Sequence, residues 1–138
     1  MGISQGTRKA LLDHLFGKST LTAPTIYVGL SSTTPTSTGG NVTEPSGGNY
    51  ARKQTAASDW NAASSADPSV LTNANELAFA AASANWVSGA NLTHAVFYSA
   101  SSGGTFLGSG TLSVAKPVMS GDTPRFAAGQ ISVSIGDS

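Results

Sequence analysis

Beyond the first eighteen residues, turn-forming residues interrupt every apolar run before it could build a long helix. The chain carries 16 glycines in 138 residues, and serine, threonine and asparagine fill the intervals between short apolar stretches. Glycine reaches backbone angles that other residues avoid, and short polar side chains compete for backbone hydrogen bonds, so both favour turns over helix interiors. The pattern therefore predicts short strands joined by many turns. The apolar fraction is 39%, much of it alanine, which concentrates the larger apolar side chains at a few strand positions. One domain over residues 1–138 is expected, long enough to bury roughly two-thirds of its unfolded surface.

Residues 1–18 read as an N-terminal helix, with residues 19–138 forming the β domain. Leu11, Leu12, Leu15 and Phe16 make one apolar stripe at helical spacing. Ser4 stands at the N-cap, Gly17 where a left-handed C-cap goes, and Lys18 where a positive charge suits the helix dipole. Such a helix either lids one end of a β core or docks onto a neighbouring subunit.

After Pro24 the run from Thr25 to Leu30 is rich in β-formers and reads as a buried strand. Residues 31–49 are a long polar loop, a kind of segment that is usually functional or mobile. Tyr50 to Ala57 is a weaker strand, followed by an irregular stretch through Asp67 and Pro68. Leu77 to Ala80 alternates with period two, and Trp86-Val87 follows a run of small residues. The strongest hairpin signal is His94–Tyr98 and Thr105–Gly108 around Ser101-Ser102-Gly103-Gly104. Leu112–Val114 and Lys116–Met119 continue the sheet, with the donorless Pro117 at an edge or strand end. Gly121-Asp122 marks a turn before Thr123–Phe126. Ile131, Val133 and Ile135 alternate with serines in the cleanest half-buried strand. The expected fold is mainly β: a β-sandwich or jelly-roll-like domain of about seven or eight short strands with one N-terminal α-helix.

Chemistry is harder to find. Charged residues are only 10% of the chain and the net charge is zero, so no basic cluster is available to neutralise a nucleic-acid backbone. Without cysteine there is no disulfide framework, thiolate metal site or thiol nucleophile. The N-terminus lacks a signal-peptide core and no run approaches a membrane span, so synthesis in a cytoplasm without an export signal of its own is expected. The spacing of His14 and His94 requires no metal. Asp13, Glu44, Asp59, Asp67, Glu76, Asp122 and Asp137 mostly neighbour Gly, Pro or Asn, which suggests turn bonding more than an acid–base pair. Neither a nucleophile elbow nor a phosphate-binding glycine loop is present. The expectation is no catalysis, no cofactor and no metal. Tyr50, Trp60, Trp86 and Tyr98 suit either a sugar-stacking surface or the core and interfaces.

The order of these features carries a resemblance. The helix Ala10–Gly17 leads through Pro24 into Ile26-Tyr27-Val28-Gly29-Leu30-Ser31. Gly47-Gly48-Asn49-Tyr50-Ala51-Arg52, Leu77-Ala78-Phe79, Trp86 and Thr93–Phe97 follow. Ser102-Gly103-Gly104, Gly121-Asp122-Thr123 and Phe126–Ile131 complete the series. This arrangement, over nearly the whole chain, resembles a family of small tailed-phage structural proteins that are tail-fibre-like or minor virion proteins. The resemblance implies a virion component, made in the host cytoplasm, whose partners are other virion proteins (the major capsid protein or tail proteins). Together with the low charge and the long polar loop, it leads to a capsid decoration or cement subunit, a homo-oligomer and most simply a trimer. The alternative is a tail-fibre or tail-tip component with a glycan-receptor role. The expected interaction residues are Leu11, Leu12, Leu15, Phe16, Tyr50, Arg52, Trp60 and Trp86. Neither nucleic acid nor membrane is expected as a partner.

Overall fold

The computed structural model describes residues 2–87 and 89–135. The N-terminal stripe forms helix α1 (Gln5–Leu15), with Ser4 as N-cap accepting from the Thr7 amide. Gly17 follows in the left-handed region at φ 74°, and the Lys18 amide closes the end by donating to Asp13 O at 2.7 Å. The β-rich run after Pro24 becomes β1 (Tyr27–Ser31), and the later strands are β2 (Lys53–Gln54), β3 (Ser69–Thr72) and β4 (Leu77–Ala78). They continue with β5 (Leu92–Tyr98), β6 (Phe106–Lys116), β7 (Arg125–Phe126) and β8 (Ser132–Ile135). The main sheet is antiparallel in the order β2-β1-β5-β6, and β3–β8 and β4–β7 form two separate antiparallel ribbons. The mainly β fold with one N-terminal helix is thus built as one sheet opposed by ribbons.

Strand alternation gives the main sheet two different faces. Val28 and Leu30 of β1 lie opposite Phe97 and Ala95 of β5, and all four join a core completed by Leu77, Phe79, Trp86, Phe126 and Ile131. The other face presents Gly29 beside Val96 and Tyr27 beside Tyr98. Against it lies the polar loop, which is held by a short chain of hydrogen bonds. Ser31 Oγ accepts from the Thr43 amide, and Thr33 Oγ1 donates to Asn41 O.

The loop's anchor is an ion pair. Arg52 donates through Nε and Nη2 to the two oxygens of Glu44, at 3.0 and 2.7 Å, and through Nη1 to the carbonyls of Ala100 and Gly103. Its guanidinium also lies 3.7 Å from the centre of the Tyr98 ring. Tyr50 Oη donates to Glu44 at 2.6 Å and accepts from the Leu30 amide, which lies past the two-residue reach of β2. A Cβ on Gly29 would stand 2.5 Å from Glu44 Oε1, so only glycine lets the carboxylate approach the sheet this closely.

A second polar knot joins the ribbons. Asn73 is fully buried just after β3. Its Nδ2 donates to the carbonyls of Asn75, Phe126 and Ala127, and its Oδ1 accepts from the Gly129 and Ile131 amides. One side chain thereby ties the turn after β3 to the segment between β7 and β8.

Several elements differ from the sequence expectation. The Tyr50–Ala57 strand shrinks to β2, because the Tyr50 amide closes a turn on Gly47 O and pairing with β1 is confined to Lys53 and Gln54. No strand is expected between the irregular stretch ending at Pro68 and Leu77, yet Ser69–Thr72 pairs with β8 in register. The expected strands Thr105–Gly108 and Leu112–Val114 merge into the single strand β6, which ends at Lys116, so that the rest of the expected Lys116–Met119 strand lies outside it. Asp137 lies outside the described residues.

Removing one partner of a buried pair strands the other charge. The Arg52 and Glu44 side chains are only 9% and 20% exposed, so Arg52→Ala is expected to lower unfolding free energy by about 3–5 kcal/mol in urea titration. Burial pushes the Glu44 carboxyl up, but hydrogen bonds from Arg52 and Tyr50, with the Arg52 charge, outweigh this and hold it below its ordinary value. A carboxyl lowered on folding stabilises fully above its unfolded value of 4.5 and loses that contribution as pH falls through the lowered one. The urea midpoint should therefore fall as pH drops below 4.5, and Glu44→Gln should flatten that decline.

Candidate functional site

α1 is attached to the sheet mainly by backbone. Residues 2–4 run along the β6 edge: the Ser4 amide donates to Leu107 O and the Ser109 amide to Gly2 O, both at 2.8 Å. Thr7 Oγ1 adds a bond to Leu107 O. None of the helical residues is buried. Gly6, Thr7 and Ala10 line the side of the helix that faces the cleft, and helical spacing carries the large apolar side chains to the far side. Leu12 is 58% exposed, Leu15 74% and Phe16 76%, while Leu11 is half-buried. A helix lid would bury these side chains in the core. The structure excludes that use, because the face meeting the body is the one with small residues.

Between the inner face of α1 and the domain lies a cleft of about 750 Å³. Its walls include Ile3, Leu21, Ile26, Trp60, Leu71 and Leu107, and among the described residues no charged one lines it. Phe97 reaches the cleft from the core face of β5, so its floor is continuous with the hydrophobic interior.

The remaining expected interaction residues lie elsewhere. Trp86 is 5% exposed and donates from Nε1 to Gly48 O at 2.8 Å, with its ring edge-on to Tyr50 and Phe79. It fixes the Gly47–Tyr50 turn to the core and is not available as a surface platform. Tyr50 is half-buried with its hydroxyl committed, and burial followed by the Glu44 hydrogen bond raises its pKa. Trp60 is half-buried, donates to Thr55 Oγ1, packs edge-on against Phe97 and forms part of the cleft wall. The structure thus groups Trp60 with the cleft, Tyr50, Arg52 and Trp86 with the loop anchor, and Leu12, Leu15 and Phe16 on the outer helix face.

Among the described residues no three His, Asp or Glu side chains gather as a metal site. His94 is buried, which lowers its pKa, and its Nδ1 lies 2.8 Å from Thr93 Oγ1. Asp59 and Asp122 accept turn amides, from Ala56 and Met119, in keeping with the turn reading. Asp13, Glu44 and Glu76 instead pair with Lys9, Arg52 and Arg125. No described helix is long and apolar enough to cross a membrane.

What these surfaces offer is contact: an apolar ridge, an apolar cleft beside it, and a polar loop locked against a sheet. A family model described as Podophage GP4 fiber I protein gp80 matches residues 2–134. The chain belongs to that family. No curated protein matches it. Membership in this phage fibre family makes the chain a structural protein of the tailed-phage virion, associated with other virion components.

The cleft was not foreseen because its walls come from segments far apart in sequence, and Leu21 sits alone among polar residues. The stripe, by contrast, is periodic and local. Since Leu12 and Phe16 are 58% and 76% exposed, the paired change Leu12→Gln and Phe16→Gln should alter unfolding free energy by less than about 0.5 kcal/mol. Phe126→Ala, in the core, should cost about 3–5 kcal/mol by the same urea titration.

Proposed function

We propose that the chain is a fibre subunit of the phage tail that joins the particle through the outer face of α1. The observation carrying this reading is the exposure of Leu12, Leu15 and Phe16 on a helix whose other face is already seated. Burying each such side chain contributes roughly 1.5–3 kcal/mol, so a repeated contact of this kind suits an assembly in which many copies act together. The fibre description of the family favours a tail location over the capsid decoration role. A receptor role resting on Tyr50, Trp60 and Trp86 lacks an open aromatic platform, since Trp86 is buried and the Tyr50 hydroxyl is committed. The function is one of binding and support, with no catalytic step.

Immunogold labelling of intact particles tests the location. Label at the tail is expected, and label confined to the capsid surface would replace the fibre reading with capsid decoration. Particles grown with only the Leu12→Gln, Phe16→Gln protein should carry it at several-fold lower occupancy, measured by quantitative blotting of purified virions.

A further inference from the structure

Residues 2–4 join the body as a strand does, in a slot between β6 and β8. Ile3 faces Gly108 of β6 in an antiparallel bridge, and on the other side its amide donates to Ser134 O of β8 at 3.2 Å. Glycine lines the slot where it is tightest. A Cβ on Gly108 would stand 2.7 Å from Gly2 O, and one on Gly2 would run into Ser134 O, so three backbones lie this close only with glycine at both positions. Two residues further on, Gly110 lies against Ser132 O and the slot closes.

We infer that this slot accepts residues 2–4 of a second copy, so that neighbouring chains exchange their N-terminal arms, each arm carrying its α1 along. The exchange goes beyond the particle contact proposed above and does not compete with it. A helix seated on a neighbour's body presents Leu12, Leu15 and Phe16 as it does on its own.

The contacts that seat the arm do not distinguish one body from another. The Gln5 amide donates to Ser37 O and Thr7 Oγ1 to Leu107 O. Among the described residues, each hydrogen bond between residues 2–7 and the body meets a main-chain atom of the body. No residue of α1 is buried, and its release removes nothing from the core. The connection is equally free. Residues 17–25 are exposed apart from half-buried Leu21, whose amide donates to His14 Nδ1 and so binds back to the helix. Extended, this segment spans about 30 Å, roughly twice the length of α1.

A body without its arm has an open edge. Leu107 O and Ser109 N of β6 then lack their partners, and such an edge takes up a strand from another chain. The strand whose polar groups match, and whose glycine fits against Ser134, is residues 2–4 of the next copy. In dilute solution the freedom lost on association favours each chain's own arm. Where copies stand side by side in a particle, effective concentrations reach about millimolar and exchange is favoured. Two copies exchanging reciprocally make a twofold dimer, and three exchanging in a ring make the cyclic trimer expected from the sequence.

Gln5 and Ser37 are exposed and bonded main chain to main chain, and the chain has no cysteine, so thiols at these positions report whose arm fills a slot. Full-length Gln5→Cys and Ser37→Cys proteins are mixed, held at millimolar concentration, diluted and treated with a short bismaleimide. The mixed dimer is expected to exceed either homodimer several-fold. In the double variant Gln5→Cys, Ser37→Cys, dilute protein should link within one chain, and protein concentrated beforehand should link between chains. Linking within one chain at every concentration, with no excess of mixed dimer, would show that each arm keeps to its own body and overturn the inference. Mixed and homodimers in statistical proportion would mark chance collision and overturn it too. So would the absence of any link, because the arm would then not lie beside Ser37. Tail labelling by immunogold would still uphold the fibre reading in each of these cases.

Discussion

The Glu44–Arg52 ion pair is the interaction on which the second face of the sheet depends. A sheet made from short strands has one face for the apolar core and one that must be covered by something else. Here the cover is a polar loop with little hydrophobic surface of its own, so it cannot be held by burial alone. The fork of Arg52 holds both oxygens of Glu44 and reaches the Ala100 and Gly103 carbonyls of the β5–β6 connection, joining three separate parts of the chain. Tyr50 then uses the same carboxylate to position its hydroxyl at the Leu30 amide, where β2 no longer pairs with β1. Desolvating these groups is costly, and their mutual hydrogen bonds offset that cost only because every partner is present. Gly29 makes the arrangement sterically feasible.

Asn73 does for the ribbons what Arg52 does for the loop. Two-stranded ribbons have little stability by themselves. Here a single buried amide satisfies five backbone groups and gives β3, β7 and β8 a common reference point. Both knots use polar side chains to specify geometry in a chain whose apolar content is modest and alanine-rich. The large apolar residues are left to the layer between the sheet and the ribbons, where Phe79 packs edge to face with both Trp86 and Phe126.

Features set by local pattern were legible in the sequence. The helix and its Ser4 and Gly17 caps, the β5–β6 hairpin with its glycine pair and the strand after Pro24 all depend on neighbours within a few residues. The tertiary pairings were not legible. Glu44 and Arg52 are eight residues apart in an irregular segment, with no periodicity to mark them as partners. β3 is only four residues long and is stabilised by β8, some sixty positions away, so its own sequence carries a weak signal. The candidate site divides along the same line. The α1 stripe could be read directly, but its outward orientation follows from the attachment of residues 2–4 and Thr7 to β6. Trp86 illustrates the converse: its residue type left a binding surface and the core both open, and its surroundings made it an anchor.

The attachment of α1 through residues 2–4 has a consequence for how such a protein can change. Because the main chain holds the helix to β6, the identities of Leu12, Leu15 and Phe16 are not constrained by folding. Substitutions there can accumulate while the β body stays intact. The domain thus separates the residues that decide whether it folds from a helix face whose composition folding leaves open.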